Sequence, residues 1–157
     1  MEWSLWKWVL NRRYLSTKQA TINPTQRRKT MKRLILLFSH SLTPEQRDDA
    51  TDNLGVGEFI SLDSELQRVW SNVLPSLESL DEYLRPIKDF VSHNLNQDDI
   101  VLVQGDFGAT FAMVSFVHSI GGVAVYATTR RDVVEEESKG EIVKTSIFRH
   151  IRFREYL

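Results

Sequence analysis

Apolar residues of the chain fall into three nearly uninterrupted runs, at 33–38, 99–103 and 122–127. Such runs are typical of strands that are covered on both faces of a sheet, because neither face then meets water. A shorter run at 58–62 predicts a weaker fourth strand. Helical patterns separate the runs, and this alternation predicts right-handed βαβ crossovers. The expected fold class is therefore α/β, with a parallel sheet and flanking helices.

The first predicted helix carries its own start and stop signals. Thr43 is suited to cap its N-terminus, Pro44 to occupy its first turn, and Gln46 to complete a capping box. Gly55 lies just past the expected end of the helix. These signals predict a helix shortly after the strand at 33–38.

Two further helical patterns precede the last parallel strand. Apolar residues recur at helical spacing over 79–95, where Pro86 is expected to kink the helix or to begin a second one. The segment 108–120 is apolar nearly all round, which predicts a buried helix that Gly121 and Gly122 close.

The end of the chain predicts an antiparallel hairpin, with strands at 133–137 and 141–154 and a turn between them. Period-two alternation along the second strand predicts two faces. The first face comprises Val143, Thr145, Ile147, Ile151 and Phe153, and the second comprises Lys144, Ser146, Phe148, His150, Arg152 and Arg154.

Composition narrows the possible classes of protein. The chain has 157 residues, of which 41% are hydrophobic, and this is enough for one ordinary domain. It contains no cysteine, which excludes a disulfide scaffold, a thiolate metal site and a cysteine nucleophile. No apolar run approaches the roughly 18 residues of a membrane span, so we expect a soluble, cytoplasmic protein with no membrane partner.

Charge is distributed unevenly along the chain. The net charge is −1, but residues 1–30 hold seven Lys and Arg against one Glu, which leaves −7 for the remainder. An acidic body is a poor general binder of long nucleic acid, which requires a broad basic surface. A small anionic ligand remains possible, because a few local donors suffice to bind it.

Residues 1–30 are expected to lie outside the fold. They combine three of the four tryptophans with a polar, basic stretch that ends directly before Met31. We interpret them as an over-extended gene start, with residues 31–157 as a single domain. The alternative is a short arm, led by the tryptophans, that binds a membrane surface or a partner.

Ligands of open parallel sheets bind beyond the carboxyl ends of the strands, so the residues that follow each strand are candidate site residues. The strand at 99–103 is followed by Gln104, Gly105, Asp106, Phe107, Gly108, Ala109 and Thr110. The glycines permit a close approach, and the following helix directs free N–H groups and its positive dipole end at the loop. We predict a phosphate-binding loop, in which Asp106 contacts ribose or adenine or caps the helix. The alternative is an ordinary glycine-rich turn.

Polar residues also follow the other strands. Ser39, His40 and Ser41 follow the first strand and are candidates for nucleophilic or acid–base chemistry, or form a polar turn. The last two strands contribute Thr128, Thr129, Arg130, Arg131, His150 and Arg152. The arginines are suited to clamp phosphate, although solvated surface arginines are equally common.

Two kinds of chemistry are disfavoured by the spacing of the polar residues. The chain has no G-x-S-x-G motif, which argues against a serine hydrolase. The four histidines show no metal-ligand spacing, so we expect no metal, and no cofactor is implied. His93 and His118 lie in helical patterns and are interpreted as structural.

Four segments together resemble the signature stretches of a known family. They are MKRLILLFSH at 31–40, VLVQGDFGAT at 101–110, YATTR at 126–130 and FRHIRFREY at 148–156. In this order, and without large gaps between them, they resemble the short, stand-alone CRISPR-associated proteins of the Csx group. The resemblance covers the chain from about Met31 to Tyr156.

This resemblance implies a Rossmann-like fold related to the CARF domains, which sense the cyclic oligoadenylates made by type III CRISPR complexes. It also implies a homodimer that binds the ring across its two-fold axis. Some members of the group are ring nucleases that cut cyclic tetra-adenylate into linear products and so end the antiviral response, whereas others only bind the ring. The sequence does not separate these two activities, because binding and slow cleavage use the same residue types.

The ring-nuclease hypothesis assigns roles to the candidate residues. Metal-independent cleavage of RNA uses the 2′-hydroxyl of the substrate as nucleophile, so the protein must align this group and stabilise the charge that develops on the phosphoryl oxygens. Ser39, His40 and Ser41 are suited to position or deprotonate the hydroxyl. Arg130 or Arg152 is suited to stabilise the charge.

The remaining candidates are assigned to ligand binding. Backbone N–H groups between Gly105 and Ala109 are expected to hold a neighbouring phosphate, and Phe107 to stack on adenine. A two-fold dimer presents two copies of each group to a four-fold ring. A third hypothesis, an unrelated Rossmann-like enzyme acting on a small nucleotide, requires the resemblance to be accidental.

Overall fold

The computed structural model describes residues 31–138 and 141–157, so the predictions made for residues 1–30 lie outside the described part of the chain. Its elements, in chain order, are β1 (Lys32–Phe38), α1 (Pro44–Leu54), β2 (Val56–Ser61), α2 (Ser64–Ser71), α3 (Asp81–Asn94), β3 (Ile100–Gln104), α4 (Phe107–Ser119), β4 (Val123–Ser138) and β5 (Glu141–Glu155). The strands form one sheet in the order β2-β1-β3-β4-β5. The first four are parallel, and β5 pairs antiparallel with β4. The α/β class, the parallel sheet and the C-terminal hairpin are confirmed.

The sheet is covered on both faces, which explains the uninterrupted apolar runs. Ile35 and Leu37 of β1 point into a core that includes buried side chains of α2, α3 and α4. Leu34 and Leu36 point to the opposite face, where the core includes Ala50 of α1. Successive residues of β1 are therefore all apolar, because they pack alternately into the cores on the two faces of the sheet.

The signals around α1 act as predicted. Thr43 caps the helix, its hydroxyl oxygen accepting from the Gln46 backbone N–H at 3.3 Å, and the Gln46 side chain accepts from the Thr43 backbone N–H at 2.9 Å. Gly55 ends the helix with φ at 75°, a conformation that favours glycine. The helix is thus held at both ends by local contacts.

One of the two later helices agrees with its sequence pattern and the other does not. The region around 79–95 forms helix α3 with Pro86 inside it, so Pro86 does not begin a second helix. The prediction that the helix at 108–120 is buried nearly all round is wrong: Ala109, Met113 and Val117 of α4 are fully buried, whereas the side chain of Phe111 is 77% exposed. The reason is that α4 lies in the outer layer, so only one stripe of it faces the sheet.

The face assignment along the hairpin is wrong at a β-bulge. The register pairs Ala127 with Phe153 but Thr129 with His150, so β5 has one extra residue opposite this part of β4. The extra residue shifts the alternation, and Phe153 comes to lie on the same face as His150. Their rings contact each other, with centroids 4.8 Å apart.

Candidate ligand cleft at the β1–β3 switch point

Two of the predicted site segments leave the sheet from neighbouring strand positions. Phe38 and Gln104 are cross-strand partners at the ends of the parallel strands β1 and β3. After them the chain continues to α1 on one face of the sheet and to α4 on the other. The loops diverge from neighbouring strand ends, and this is the position where open α/β sheets bind ligands. The structure therefore brings Ser39–Ser41 and Gln104–Thr110 to the two sides of a topological switch point.

The loop after β3 offers two free backbone donors. Asp106 caps α4, its Oδ1 accepting from the Ala109 N–H at 3.0 Å, so the capping alternative for this residue is the one observed. Thr110 accepts from the Gly105 N–H at 3.2 Å. Within the described residues, the N–H groups of Phe107 and Gly108 have no acceptor. These groups at a helix N-terminus are suited to bind an anion.

The glycines of this loop also have packing roles. A Cβ atom at position 105 would lie 3.0 Å from the indole ring of Trp70, a buried residue of α2, and one at position 108 would lie 3.2 Å from Leu80. The Trp70 indole N–H also donates to the carbonyl oxygen of Gln104 at 3.4 Å. Helix α2 was not predicted, so this support for the loop was missed.

The Gln104 side chain closes the gap between two strands. Its Oε1 accepts from the backbone N–H of Ala127 at 3.1 Å, just beyond the last parallel pair, Leu102 with Val125. The side-chain oxygen continues the hydrogen bonding of β3 to β4 where the regular register ends. Thr128 directly follows the residue that makes this contact.

The loop after β1 borders a cavity of about 300 Å³. Its lining includes Ser39, His40, Ser41 and Arg47. The ring of His40 is exposed and meets the edge of Phe38, with centroids 5.7 Å apart. Arg47, an exposed residue of α1, was not among the predicted site residues, and it places a guanidinium at the same cavity as the two hydroxyls.

The base of the hairpin carries several arginines, and the cavity that Arg152 lines, with Asp49 and Asn53 of α1, is separate from the cavity at Ser39–Ser41. Arg130 and Arg149 each donate to Asp132 at 3.0 Å. These contacts, the bond from Arg130 first, lower the pKa of the Asp132 carboxyl, although burial opposes them. Arg131 donates to the Ser146 hydroxyl at 2.9 Å. The exposed guanidinium of Arg152 has no ion-pair partner among the described residues. Arg152 is thus the least engaged of the four cations.

Two threonines complete this part of the predicted site. The Thr128 hydroxyl donates to the carbonyl oxygen of Arg152 at 2.8 Å, which ties the two strands together at the bulge. Thr129 is exposed and pairs in register with His150. Both threonines follow the last parallel pairing of β4, as the sequence pattern predicts.

His150 is placed differently from the other candidates. Its ring faces α1 and is only 4% exposed, and its Nε2 lies 2.9 Å from Asp49 Oδ2. Burial by itself raises the pKa of the Asp49 carboxyl. Hydrogen bonds from His150, Asn53 and the Phe153 backbone lower it by more than burial raises it, so the pKa lies below its usual value. Asp49 was not singled out in the sequence, because its partner lies 101 residues away.

Two negative findings apply to the described residues. Residues 31–138 and 141–157 contain no group of three or more His, Asp or Glu that is suited to hold a metal ion. No helix in the same ranges is long and apolar enough to cross a membrane.

Comparison with known proteins finds a matching family and a relative of this chain. Residues 32–154 match the family model described as the Uncharacterized protein MJ1673 family. A protein of that description from Methanocaldococcus jannaschii is 45% identical over 126 residues, which cover 80% of this chain and 98% of the relative. No solved structure matches the chain.

Proposed function

We propose that this chain, which belongs to the Uncharacterized protein MJ1673 family, is a ring nuclease that binds a cyclic oligoadenylate and cleaves it to linear products. The observation that carries the proposal is the pairing of Phe38 with Gln104 at a switch point. Because of this pairing, the hydroxyl- and imidazole-bearing loop and the glycine loop begin at adjacent strand ends, where open α/β sheets bind ligands. The proposed ligand is cyclic tetra-adenylate, and the proposed setting is the end of type III CRISPR signalling in the cytoplasm.

Phosphate binding is supported by two kinds of donor. The N–H groups of Phe107 and Gly108 are free at the positive end of the α4 dipole. Arg152 and Arg47 carry exposed guanidinium groups, which suit bidentate contacts to phosphate oxygens. The side chain of Phe107 is 94% exposed and offers a face on which adenine stacks.

Cleavage proceeds, in this proposal, by attack of a ribose 2′-hydroxyl on the adjacent phosphorus. The new bond to the 2′-oxygen forms as the bond to the 5′-oxygen breaks, which yields a 2′,3′-cyclic phosphate and a 5′-hydroxyl. His40 accepts the proton of the nucleophile, Ser39 and Ser41 orient it, and the 5′-oxygen takes up a proton as it leaves. Arg152 stabilises the charge on the phosphoryl oxygens. The nucleophile belongs to the substrate, so neither a metal nor a cofactor is required.

The proposed assembly is a homodimer that packs through α4. Phe111 lies one turn beyond Phe107 on this helix, and its side chain is 77% exposed. The helix contains no Asp, Glu, Lys or Arg. An uncharged, apolar surface is compatible with its own copy across a two-fold axis, since no like charges are brought together.

A binding module that holds the ring without cutting it is the second candidate. The observation that favours it is the position of His150, whose ring faces Asp49 and not the cleft. His150 was predicted as a ligand contact and not as a proton acceptor, and its position leaves no second imidazole beside His40 in the described part of the predicted cleft. Ligand binding does not need that group, because the backbone donors and arginines remain.

One experiment separates these functions. The full chain is incubated with cyclic tetra-adenylate in EDTA, binding is measured by calorimetry, and products are followed by chromatography. We expect binding and linear products. Tight binding without product over hours supports the sequestering module, activity that needs added metal contradicts the mechanism, and absence of binding rejects both functions.

A further inference from the structure

Asp49 connects α1 to the base of the hairpin. Its Oδ2 accepts a hydrogen bond from His150 Nε2 at 2.9 Å and one from the Phe153 backbone N–H at 2.8 Å. The bulge opposite Thr128 and Thr129 lies between these two donors. Because the bulge turns both residues to the α1 side, one carboxylate oxygen is able to hold both of them.

Packing alone does not explain why His150 and Asp49 are buried together. The side chains of His150 and Asp49 are 4% and 12% exposed. The Nδ1 atom of His150 is buried and has no hydrogen-bond partner among the described residues. An unpartnered buried nitrogen costs free energy that an apolar side chain of similar size avoids. A histidine at this position is therefore explained best by its bond to Asp49.

We propose that Asp49 and His150 are positioning residues, which hold the arginines of the hairpin base in place relative to the loop at 39–41. The proposal deepens the proposed function and rests on it. Helix α1 begins at Pro44, shortly after this loop, so a rigid connection runs from the loop through Asp49 to β5. Arg152 lies on β5 between the two donors to Asp49. In-line attack tolerates little misplacement, since a shift of about 1 Å costs about 100-fold in rate.

The start of α1 also carries a negatively charged side chain near the hairpin base. The pKa of the Glu45 carboxyl is lowered first by its own backbone N–H, then by the Thr43 side chain, and in addition by the nearby guanidinium of Arg149. Glu45 and Asp49 thus present negative charge from α1 toward the hairpin base.

The activity test compares His150→Ala with His150→Gln, which keeps an N–H donor of similar reach. We expect single-turnover cleavage of cyclic tetra-adenylate to slow at least about tenfold in His150→Ala, with a smaller change in Kd, and to recover in His150→Gln. Asp52→Asn, an exposed carboxylate on the same helix, is the matched control and should leave the rate unchanged. Equal rates for wild type and His150→Ala, at a temperature where both are folded, overturn the proposal.

A second measurement needs no ligand. The chain has no cysteine, so spin labels introduced through Asp52→Cys and Thr145→Cys report the distance between α1 and the hairpin. We expect a narrow distance distribution that broadens or shifts in His150→Ala and is restored in His150→Gln. Labels at Asp52→Cys and Glu58→Cys, on α1 and β2, are the control pair and should not respond.

The two measurements distinguish the two proposals. If the labels respond but the wild-type protein neither binds nor cleaves the ring, the positioning contact stands and the proposed function fails. If cleavage is observed and neither the rate nor the label distance changes in His150→Ala, the proposed function stands and the positioning role is overturned.

Discussion

Trp70 lies directly against Gly105, so that any Cβ at position 105 would come within 3.0 Å of its indole ring. The indole N–H also donates to the carbonyl oxygen of Gln104. Trp70 is 1% exposed and belongs to the core beneath the cleft. The glycine loop therefore packs tightly on a side chain of α2, and a Cβ at position 105 requires the ring or the loop to shift by a few tenths of an ångström whether or not a ligand is bound.

We expect Gly105→Ala to destabilise the protein by about 1–3 kcal/mol, because the added methyl group must displace a buried ring or the loop. Ligand affinity should fall as well, since the free N–H groups of Phe107 and Gly108 move with the loop. Urea denaturation and calorimetry measure the two effects. Ser115→Ala, at an exposed position of α4, serves as control, and a Gly105→Ala variant of unchanged stability contradicts the packing account.

Acid should destabilise the protein through two carboxylates. Burial by itself raises the pKa of Asp99, but hydrogen bonds from the Arg33 side chain and from the Asn96 and Arg33 backbone lower it by a larger amount. The pKa of Asp49 is likewise lowered overall. A lowered folded-state pKa means that the unfolded state binds protons first. The contribution to stability is therefore full above the unfolded value of about 3.9 and is lost as the pH falls through the folded values.

The free energy of unfolding, measured by urea denaturation between pH 7 and pH 3, tests this expectation. It should decline below about pH 4, and the decline should be shallower in Asp99→Asn and Asp49→Asn. Asp52→Asn should follow the wild-type curve. A flat wild-type profile across this interval would show that neither carboxylate stabilises the fold.

Phe111→Ser should dissociate the proposed dimer, because it removes an exposed aromatic ring from an uncharged helix surface. Sedimentation velocity measures the change from dimer to monomer. Leu74→Ser replaces an exposed apolar residue outside α4 and should have no effect on assembly. If wild type sediments as a monomer at micromolar concentration, or if both variants remain dimeric, α4 is not the interface.

His40→Ala and Arg152→Ala should slow cleavage of cyclic tetra-adenylate about 100-fold or more, since each removes a group that acts in the transition state. The affinity for the ring should fall by a smaller factor than the rate. Ser39→Ala should also lose more rate than affinity, with a smaller loss of rate than the other two variants. Rates and affinities come from single-turnover assays and calorimetry. His93→Ala on α3 is the histidine control, and equal losses of rate and affinity would make these residues ligand contacts only.

Local patterns predicted the parallel sheet and most of its elements, but they predicted neither α2 nor a β4 that runs without a break from Val123 to Ser138. Leu34 and Ile35 are adjacent in sequence but enter different cores, so a run without alternation predicts a strand covered on both faces. Thr43 and Gln46 hold the start of α1 through contacts only three residues apart. The positions of the loops at 39–41 and 104–110 follow from this sheet, because both loops leave the carboxyl ends of parallel strands.

Contacts between residues distant in sequence were decided by the tertiary structure alone. Trp70 meets Gly105 and Asp49 meets His150 because helices are packed on specific faces of the sheet, and no periodicity encodes such pairs. The bulge opposite Thr128 reverses the alternation on which the hairpin faces were predicted. Phe111 is equally apolar in a core and on a surface, so the sequence does not show which of the two it occupies. Its ring is exposed because α4 packs against the sheet along one stripe that does not include it.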